Sequence, residues 1–148
     1  MKLSTRSRYA VRAMIELALL FKKNRRISLT DLSKELHISR KYLEQIFSML
    51  NTAGLVRALR GAKGGYTLTR PPNEISLLEV VEATEGPILL VDCVGSDNIC
   101  RWEDICVARQ LWKDVNESIR NSLRNELLSE LADKESDLDK IRCQNYEI

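Results

Sequence analysis

Three of the four cysteines, Cys93, Cys100 and Cys106, stand close together in a C-x6-C-x5-C spacing. Thiolates are soft ligands suited to iron–sulfur clusters and to zinc. On one irregular loop, with Cys106 at the mouth of a helix, the three can converge on a single site. The helix N-terminus would help to hold thiolates and an anionic cluster. Val94-Gly95-Ser96 supplies flexibility, and irregular backbone can offer N–H groups to sulfur. The spacing by itself does not separate iron from zinc. Cys143 lies far along a charged tail and reads as a bystander thiol. The single histidine, His37, falls well upstream, where a structural or DNA-backbone role fits it better. A fourth ligand is therefore open, with Asp92, Glu103, Asp104, Glu44, Cys143 or a small molecule as alternatives.

A second group of residues suits the reading of DNA. Ser39, Arg40, Tyr42, Glu44 and Gln45 open a short amphipathic segment. Arg40 can donate to guanine or phosphate, Gln45 can pair bidentately with adenine, and Glu44 can accept from cytosine. The alternative is a solvated helix face on which Glu44 forms an ordinary ion pair. Arg60 and Lys63 flank Gly61, with Gly64 and Gly65 following, so positive charge sits on a thin backbone that can approach a minor groove or a phosphate row. Tyr66 reads as the anchor of this turn to a core. Arg6, Ser7 and Arg8 are candidate phosphate contacts.

These residues need elements to place them. Ser4 can cap a first helix whose apolar positions Tyr9, Ala10, Ala13, Met14, Leu17, Ala18 and Phe21 recur at helical steps. A basic loop follows at residues 22–26, with Asn24 as a turn residue. Ser28 or Thr30 caps a second helix with Leu29, Leu32 and Leu36 inward. Ser39 caps a third, over residues 40–52, with Leu43, Ile46, Phe47 and Leu50 on one face and Gly54 at its end. Two short helices with a tight connection predict a helix-turn-helix. Alternation over residues 55–60, a glycine–lysine turn and a second strand over 66–69 predict a β-hairpin wing. A helix capped by Ser76 should run over residues 77–84 and stop near Gly86-Pro87. Residues 87–104 read as irregular. One long helix is expected over residues 105–131, with Leu111, Val115, Ile119 and Leu123 in a stripe that would pack against a second subunit. Packing back onto the N-terminal domain is the alternative.

The expected fold is thus mainly α with a small β-hairpin wing: a winged helix-turn-helix plus a long C-terminal dimerisation helix. The division is 1–72 for the DNA-binding domain, 73–104 for the connecting helix and cysteine loop, 105–133 for the dimerisation helix and 134–148 for a flexible tail. Charge follows the same division. Residues 1–72 carry 15 Lys or Arg against 4 Asp or Glu, a net +11, whereas residues 73–148 carry 8 against 17, a net −9. A basic half beside an acidic half suits a nucleic-acid-binding head on a solvated scaffold. No apolar run reaches the roughly 20 residues of a membrane span, and the N-terminus lacks a secretory pattern, so a cytoplasmic protein is expected. In that compartment cysteines favour metal or redox chemistry over structural disulfides. One histidine, no G-x-G-x-x-G, no P-loop and no nucleophile–base pattern argue against an enzyme.

Met1-Lys2-Leu3-Ser4-Thr5-Arg6-Ser7-Arg8-Tyr9-Ala10-Val11, Tyr42-Leu43-Glu44-Gln45-Ile46-Phe47 and Arg60-Gly61-Ala62-Lys63-Gly64-Gly65-Tyr66 resemble the signatures of the IscR/NsrR/CymR family of winged-helix transcription regulators. The resemblance spans residues 1 to 131. It implies a homodimer that binds imperfectly palindromic promoter DNA. In the iron–sulfur members it implies a cluster held by cysteines matching Cys93, Cys100 and Cys106. Resemblance to the IscR members in particular implies a [2Fe–2S] cluster in preference to [4Fe–4S], and control of cluster-assembly genes. The sequence departs from that pattern at Arg109, where a histidine ligand would be expected; guanidinium is a permanent cation and cannot ligate. Arg8 likewise stands where NsrR-like members can offer a carboxylate from a partner subunit. Two other readings stand beside this one. The cysteines could be zinc ligands or a thiol switch on the same DNA-binding protein, or the acidic half could dock a protein partner as a regulatory adaptor.

Overall fold

The computed structural model describes residues 2–96, 100–102 and 104–145. Helix α1 (Thr5–Lys22) begins where the Ser4 hydroxyl accepts from the Ser7 N–H at 3.4 Å. Helix α2 (Leu29–Leu36) is capped by Ser28 and α3 (Arg40–Thr52) by Ser39, whose oxygens accept from Asp31 and Tyr42 at 3.1 and 3.2 Å. Each side chain satisfies an N–H that the first turn of a helix leaves without a partner. The turn between α2 and α3 is set by His37, which closes α2 at φ 54°, and by a Ser33 hydroxyl donating to the Ile38 carbonyl at 2.6 Å.

Strands β1 (Val56–Leu59) and β2 (Gly65–Leu68) pair antiparallel, Val56 opposite Leu68 and Leu59 opposite Gly65. Ile27 adds a single bridge to Tyr66, so the link from α1 to α2 lies along the outer edge of β2. Gly65 is required there: a Cβ would stand 2.7 Å from the Ile27 carbonyl oxygen. Helix α4 (Leu77–Glu85) starts with a reciprocal capping box between Ser76 and Glu79. A short helix α5 (Asp92–Gly95) interrupts the stretch expected to be irregular.

The expected long helix over residues 105–131 is two helices. Helix α6 (Val107–Asn125) ends in extended backbone at Glu126, and α7 (Leu128–Asn145) begins after Leu127. The break has a hydrogen-bonding cause. Leu77 N–H donates to the Glu126 carbonyl at 2.8 Å, and Leu128 N–H donates to the Ile75 carbonyl at 2.9 Å. Leu127 bridges Ser76 as a strand would. This short β-like contact draws the chain out of the helix and turns it back over α1. The tail expected to be flexible from residue 134 is therefore helical to Asn145; residues 146–148 lie outside the described part.

Phe47, Met14, Leu17, Leu32, Leu43, Ile46 and Leu50 form the centre of the core. Leu128 and Ala132 of α7 and Ile75 and Val80 around α4 complete it, all fully buried. A smaller cluster of Leu78, Val81 and Ile88 takes Ile119 and Leu123 from α6. No helix among the described residues is long and apolar enough to cross a membrane.

Candidate functional site

Helix α3 exposes Ser39, Arg40, Glu44 and Gln45 along its first turns, while Leu43, Ile46, Phe47 and Leu50 are buried. Arg40 Nε donates to Glu44 at 3.1 Å, one helical turn away. The two are exposed, so the pair is a weak surface contact that a stronger partner can displace. Tyr42 is half-buried, its ring edge-on to Tyr9 at 6.0 Å. The contact ties α3 to α1 and leaves Tyr42 partly exposed.

The wing is fastened by aromatic packing. Phe47 of α3 and Tyr66 of β2 meet edge-to-face at 4.7 Å, which makes Tyr66 the anchor that its position suggested. Arg60 and Lys63 are exposed at the turn. Gly64 leaves no room for a side chain, since a Cβ there would lie 2.6 Å from the Leu59 carbonyl oxygen. The wing is thin because its backbone folds on itself.

At the start of α1 the three candidate phosphate contacts separate. Arg8 is exposed and donates to the Thr5 hydroxyl at 3.0 Å. Arg6 is half-buried, beside Glu85. Ser7 does not face outward, contrary to expectation. It is 1% exposed; its hydroxyl donates to the Glu85 carboxylate and accepts from Thr84 at 3.1 Å. Hydrogen bonds from Ser4 and Ser7 hold the Glu85 carboxyl below its ordinary range. Ser7 thus clamps α1 to the end of α4. Alternating burial at the cap could have flagged it, because Ser7 falls on the same helical face as Ala10 and Met14.

The cysteine loop is pinned to α6 at two places. Leu90 N–H donates to Asn116 Oδ1 at 3.0 Å, and Arg109 Nε donates to the Cys93 carbonyl at 2.8 Å. Asn116 and Arg109 are the buried polar residues of α6, at 4% and 8% exposure. Cys106 caps the helix, its sulfur accepting from the Arg109 N–H at 3.4 Å. Arg109 therefore ties the segment bearing Cys93 to the segment bearing Cys106, through its side chain and its backbone. Asn116 and this tie were not singled out by the sequence reading. Cys93 and Cys106 are half-buried, Cys100 and Cys143 are exposed, and all four are free thiols. The donor chemistry suits a metal or cluster, but among the described residues no three His, Cys, Asp or Glu side chains converge into a metal-sized group. Glu103 lies outside the described residues.

The dimerisation stripe divides. Leu111 and Val115 are exposed, as are Val107 and Trp112. Ile119 and Leu123, expected in the same stripe, are half-buried against Leu78, Val81 and Ile88 of the same chain. The C-terminal half of α6 has an apolar surface available in α4, whereas its N-terminal half extends past it.

Known proteins match this architecture. The family model Rrf2, described as an iron-dependent transcriptional regulator, matches residues 3–134. The HTH-type transcriptional regulator IscR of Xenorhabdus nematophila is 39% identical over 119 residues, covering 80% of this chain and 71% of the relative. IscR of Aliivibrio salmonicida is also 39% identical over 119 residues, covering 80% and 70%. Among solved structures, CymR, the global cysteine regulator of B. subtilis, superposes with a TM-score of 0.73 at 33% identity, covering 90% of this chain and 98% of that one. T. potens IscR superposes with a TM-score of 0.72 at 32% identity, covering 93% and 90%. The relatives are transcription regulators and not enzymes, and the mostly helical fold with one hairpin is theirs. With the family model spanning most of its length and relatives at 39% identity over four-fifths of it, this chain belongs to the Rrf2 family of transcription regulators.

Proposed function

We propose that the protein binds promoter DNA as a homodimer and responds to an iron–sulfur cluster held by Cys93, Cys100 and Cys106. The observation that carries the DNA reading is the pairing of a capped α3, exposed at Ser39, Arg40, Glu44 and Gln45, with a glycine wing carrying Arg60 and Lys63. A recognition helix supplies base-edge contacts and a wing supplies phosphate or minor-groove contacts, so the two together position and specify. Arg40 and Glu44 would exchange their mutual ion pair for base edges. Arg6 and Arg8 would add phosphate contacts at the start of α1. The exposed apolar residues Val107, Leu111, Trp112 and Val115 support a two-fold contact through the first half of α6.

The iron–sulfur reading rests on three free thiols in one loop and on relatives named IscR. Bound there, a cluster would supply a charge and a geometry that depend on iron and redox state. A [2Fe–2S] cluster is favoured over [4Fe–4S] by the IscR relatives. Arg109 leaves the fourth ligand to come from elsewhere. The chain's own part is to hold Cys93 and Cys106 on either side of Arg109 and to present Cys106 at the start of α6, so that ligation is felt by the helix that would join the two subunits. The genes controlled would be those of cluster assembly.

Two measurements test these readings separately. Selection from a random-sequence duplex library should enrich an imperfect palindrome; recovery of no preferred sequence would sink the specific regulator. An anaerobic visible spectrum, with iron and acid-labile sulfide assayed on the same sample, should show colour and matched iron and sulfide. A colourless protein after reconstitution, with zinc or no metal, would replace the cluster by zinc ligation or a thiol switch. That second reading is favoured by the lack of a converged donor group among the described residues and by the likeness to CymR.

A further inference from the structure

Between the α1–α2 loop and the wing lies an open cavity of about 480 Å³ lined by Asn24, Arg25, Arg26, Lys63 and Gly64. Every charged side chain lining it is a cation. Its walls are set by backbone hydrogen bonds. The Lys23 and Asn24 N–H groups donate to the Leu20 and Phe21 carbonyls at 3.0 Å, and Arg25 N–H returns to Leu20 at 2.9 Å. Asn24 takes the left-handed conformation, φ 52°, that this reversal needs. On the opposite wall, Gly64 N–H donates to the Gly61 carbonyl at 2.9 Å. The Ile27–Tyr66 bridge joins the walls, and Arg26 Nη1 reaches the Lys63 carbonyl at 3.4 Å.

Lys22, Arg70 and Arg120 are matched by carboxylates, those of Asp133, Glu79 and Glu82. Among the described residues Arg25, Arg26 and Lys63 have no carboxylate partner. Three cations held around one concavity repel one another, and the repulsion is relieved when an anion enters. Lys63 belongs to the wing, so an anion in this cavity would be continuous with whatever the wing lies against.

We propose that this cavity is a backbone-phosphate site, in which Arg25 and Arg26 take phosphodiester oxygens of the duplex on the flank of the wing. The inference rests on the DNA-binding reading above and adds to it a second anchoring element that α3 and the wing turn do not supply. The contact reads no bases. It fixes the depth and angle at which the wing meets the duplex. Arg26 has a double part, since it also holds the wing turn through the Lys63 carbonyl; Arg25 contacts phosphate alone.

The test is the salt dependence of binding to a mixed-sequence duplex of about 30 base pairs, followed by fluorescence anisotropy over a potassium chloride series. Each phosphate contact contributes about 0.9 to the slope of log K against log salt. Arg25→Ala should lower affinity severalfold on any sequence and flatten the slope by about 1. Arg25→Lys should keep most of the slope, and Lys140→Ala, on α7 and outside this cavity, should leave it unchanged. Thermal melts of each variant show that the fold is retained. Wild-type binding with the same slope in Arg25→Ala and Arg26→Ala would overturn the phosphate site and leave the DNA reading intact. Failure of the wild type to bind any duplex would instead remove the DNA reading itself. Amide shifts at Arg25 and Gly64 on adding inorganic phosphate, with unchanged DNA slopes, would overturn the assignment in favour of a free-anion site.

Discussion

Two carboxylates illustrate how burial and partners set opposite signs. Glu16, half-buried on α1, is pushed above its ordinary value of 4.5 by burial first, and then by Glu35 of α2 and Glu135 and Asp139 of α7; Arg12 opposes them. Its folded value is raised, so its contribution to stability is full below 4.5 and is lost as pH rises through the folded value. Glu16→Gln, which mimics the protonated form, should raise the melting temperature at neutral pH and leave it unchanged near the ordinary carboxylate value. A Glu16→Gln variant no more stable than the wild type at neutral pH would show that burial and the three acids do not raise Glu16. Burial also pushes Glu79 upward, but hydrogen bonds from Ser76 and the Arg70 guanidinium outweigh it and hold the carboxyl below its ordinary value. Its stabilisation is present above the ordinary value and lost as pH falls through the folded one. Ser76→Ala should cost about 1 kcal/mol at neutral pH. That cost should shrink on acidification, as chemical denaturation at several pH values would reveal.

At the scale of elements, the end of α6 matters most. The backbone bonds from Leu77 to Glu126 and from Leu128 to Ile75 act as a two-residue strand in the middle of a helical region. They turn α7 back so that Leu128 and Ala132 enter the core under α1. Leu128 and Ala132 thus belong to the core of the winged helix. Leu128→Ala should destabilise the whole protein by about 2–5 kcal/mol, the range for emptying a fully buried leucine site. A urea titration followed by the CD of the whole chain measures it. A loss below about 0.5 kcal/mol, the range of a surface substitution, would mean that α7 only rests on the surface. The helix-turn-helix and its wing were legible beforehand because their signals are local: Ser28 and Ser39 as caps, a 3.6-residue apolar period, and glycines at a hairpin turn. The break at Glu126 was not, because nothing in residues 120–131 opposes helix. Its cause is a backbone partner fifty residues upstream.

At the scale of the molecule, the separation of a basic head from an acidic scaffold is less complete in space than in sequence. Helix α7 lays its acids along α1, pairing Asp133 with Lys22 and placing Glu135 and Asp139 near Glu16. Around the wing and the α1–α2 loop, Arg25, Arg26 and Lys63 have no such carboxylate among the described residues. Exposed apolar residues gather on the first half of α6, where Val107 and Leu111 are 85% and 54% exposed; Leu138 and Ile141 of α7 are exposed as well. The proposed homodimer predicts that Leu111→Asp yields a monomer in sedimentation and weakens binding to a palindromic site far more than to one half-site. A variant that stays dimeric would move the interface off α6.

The family, the fold class, the helix-turn-helix with its caps and wing, and the three cysteines in one loop are all readable from residue order alone. These depend on residue types at short spacings, where local hydrogen bonding and periodicity dominate. What each face meets is set by the packing of distant segments. Ser7 is a buried clamp on Glu85, Ile119 and Leu123 meet α4, and Leu128 and Ala132, expected within one long dimerisation helix, complete the core. Arg109 became the tie between two cysteine-bearing segments. Each of these outcomes is a contact between parts of the chain far apart in sequence. A side chain's own spacing says which face it occupies, and only the partner that arrives there decides whether the face is surface, core or site.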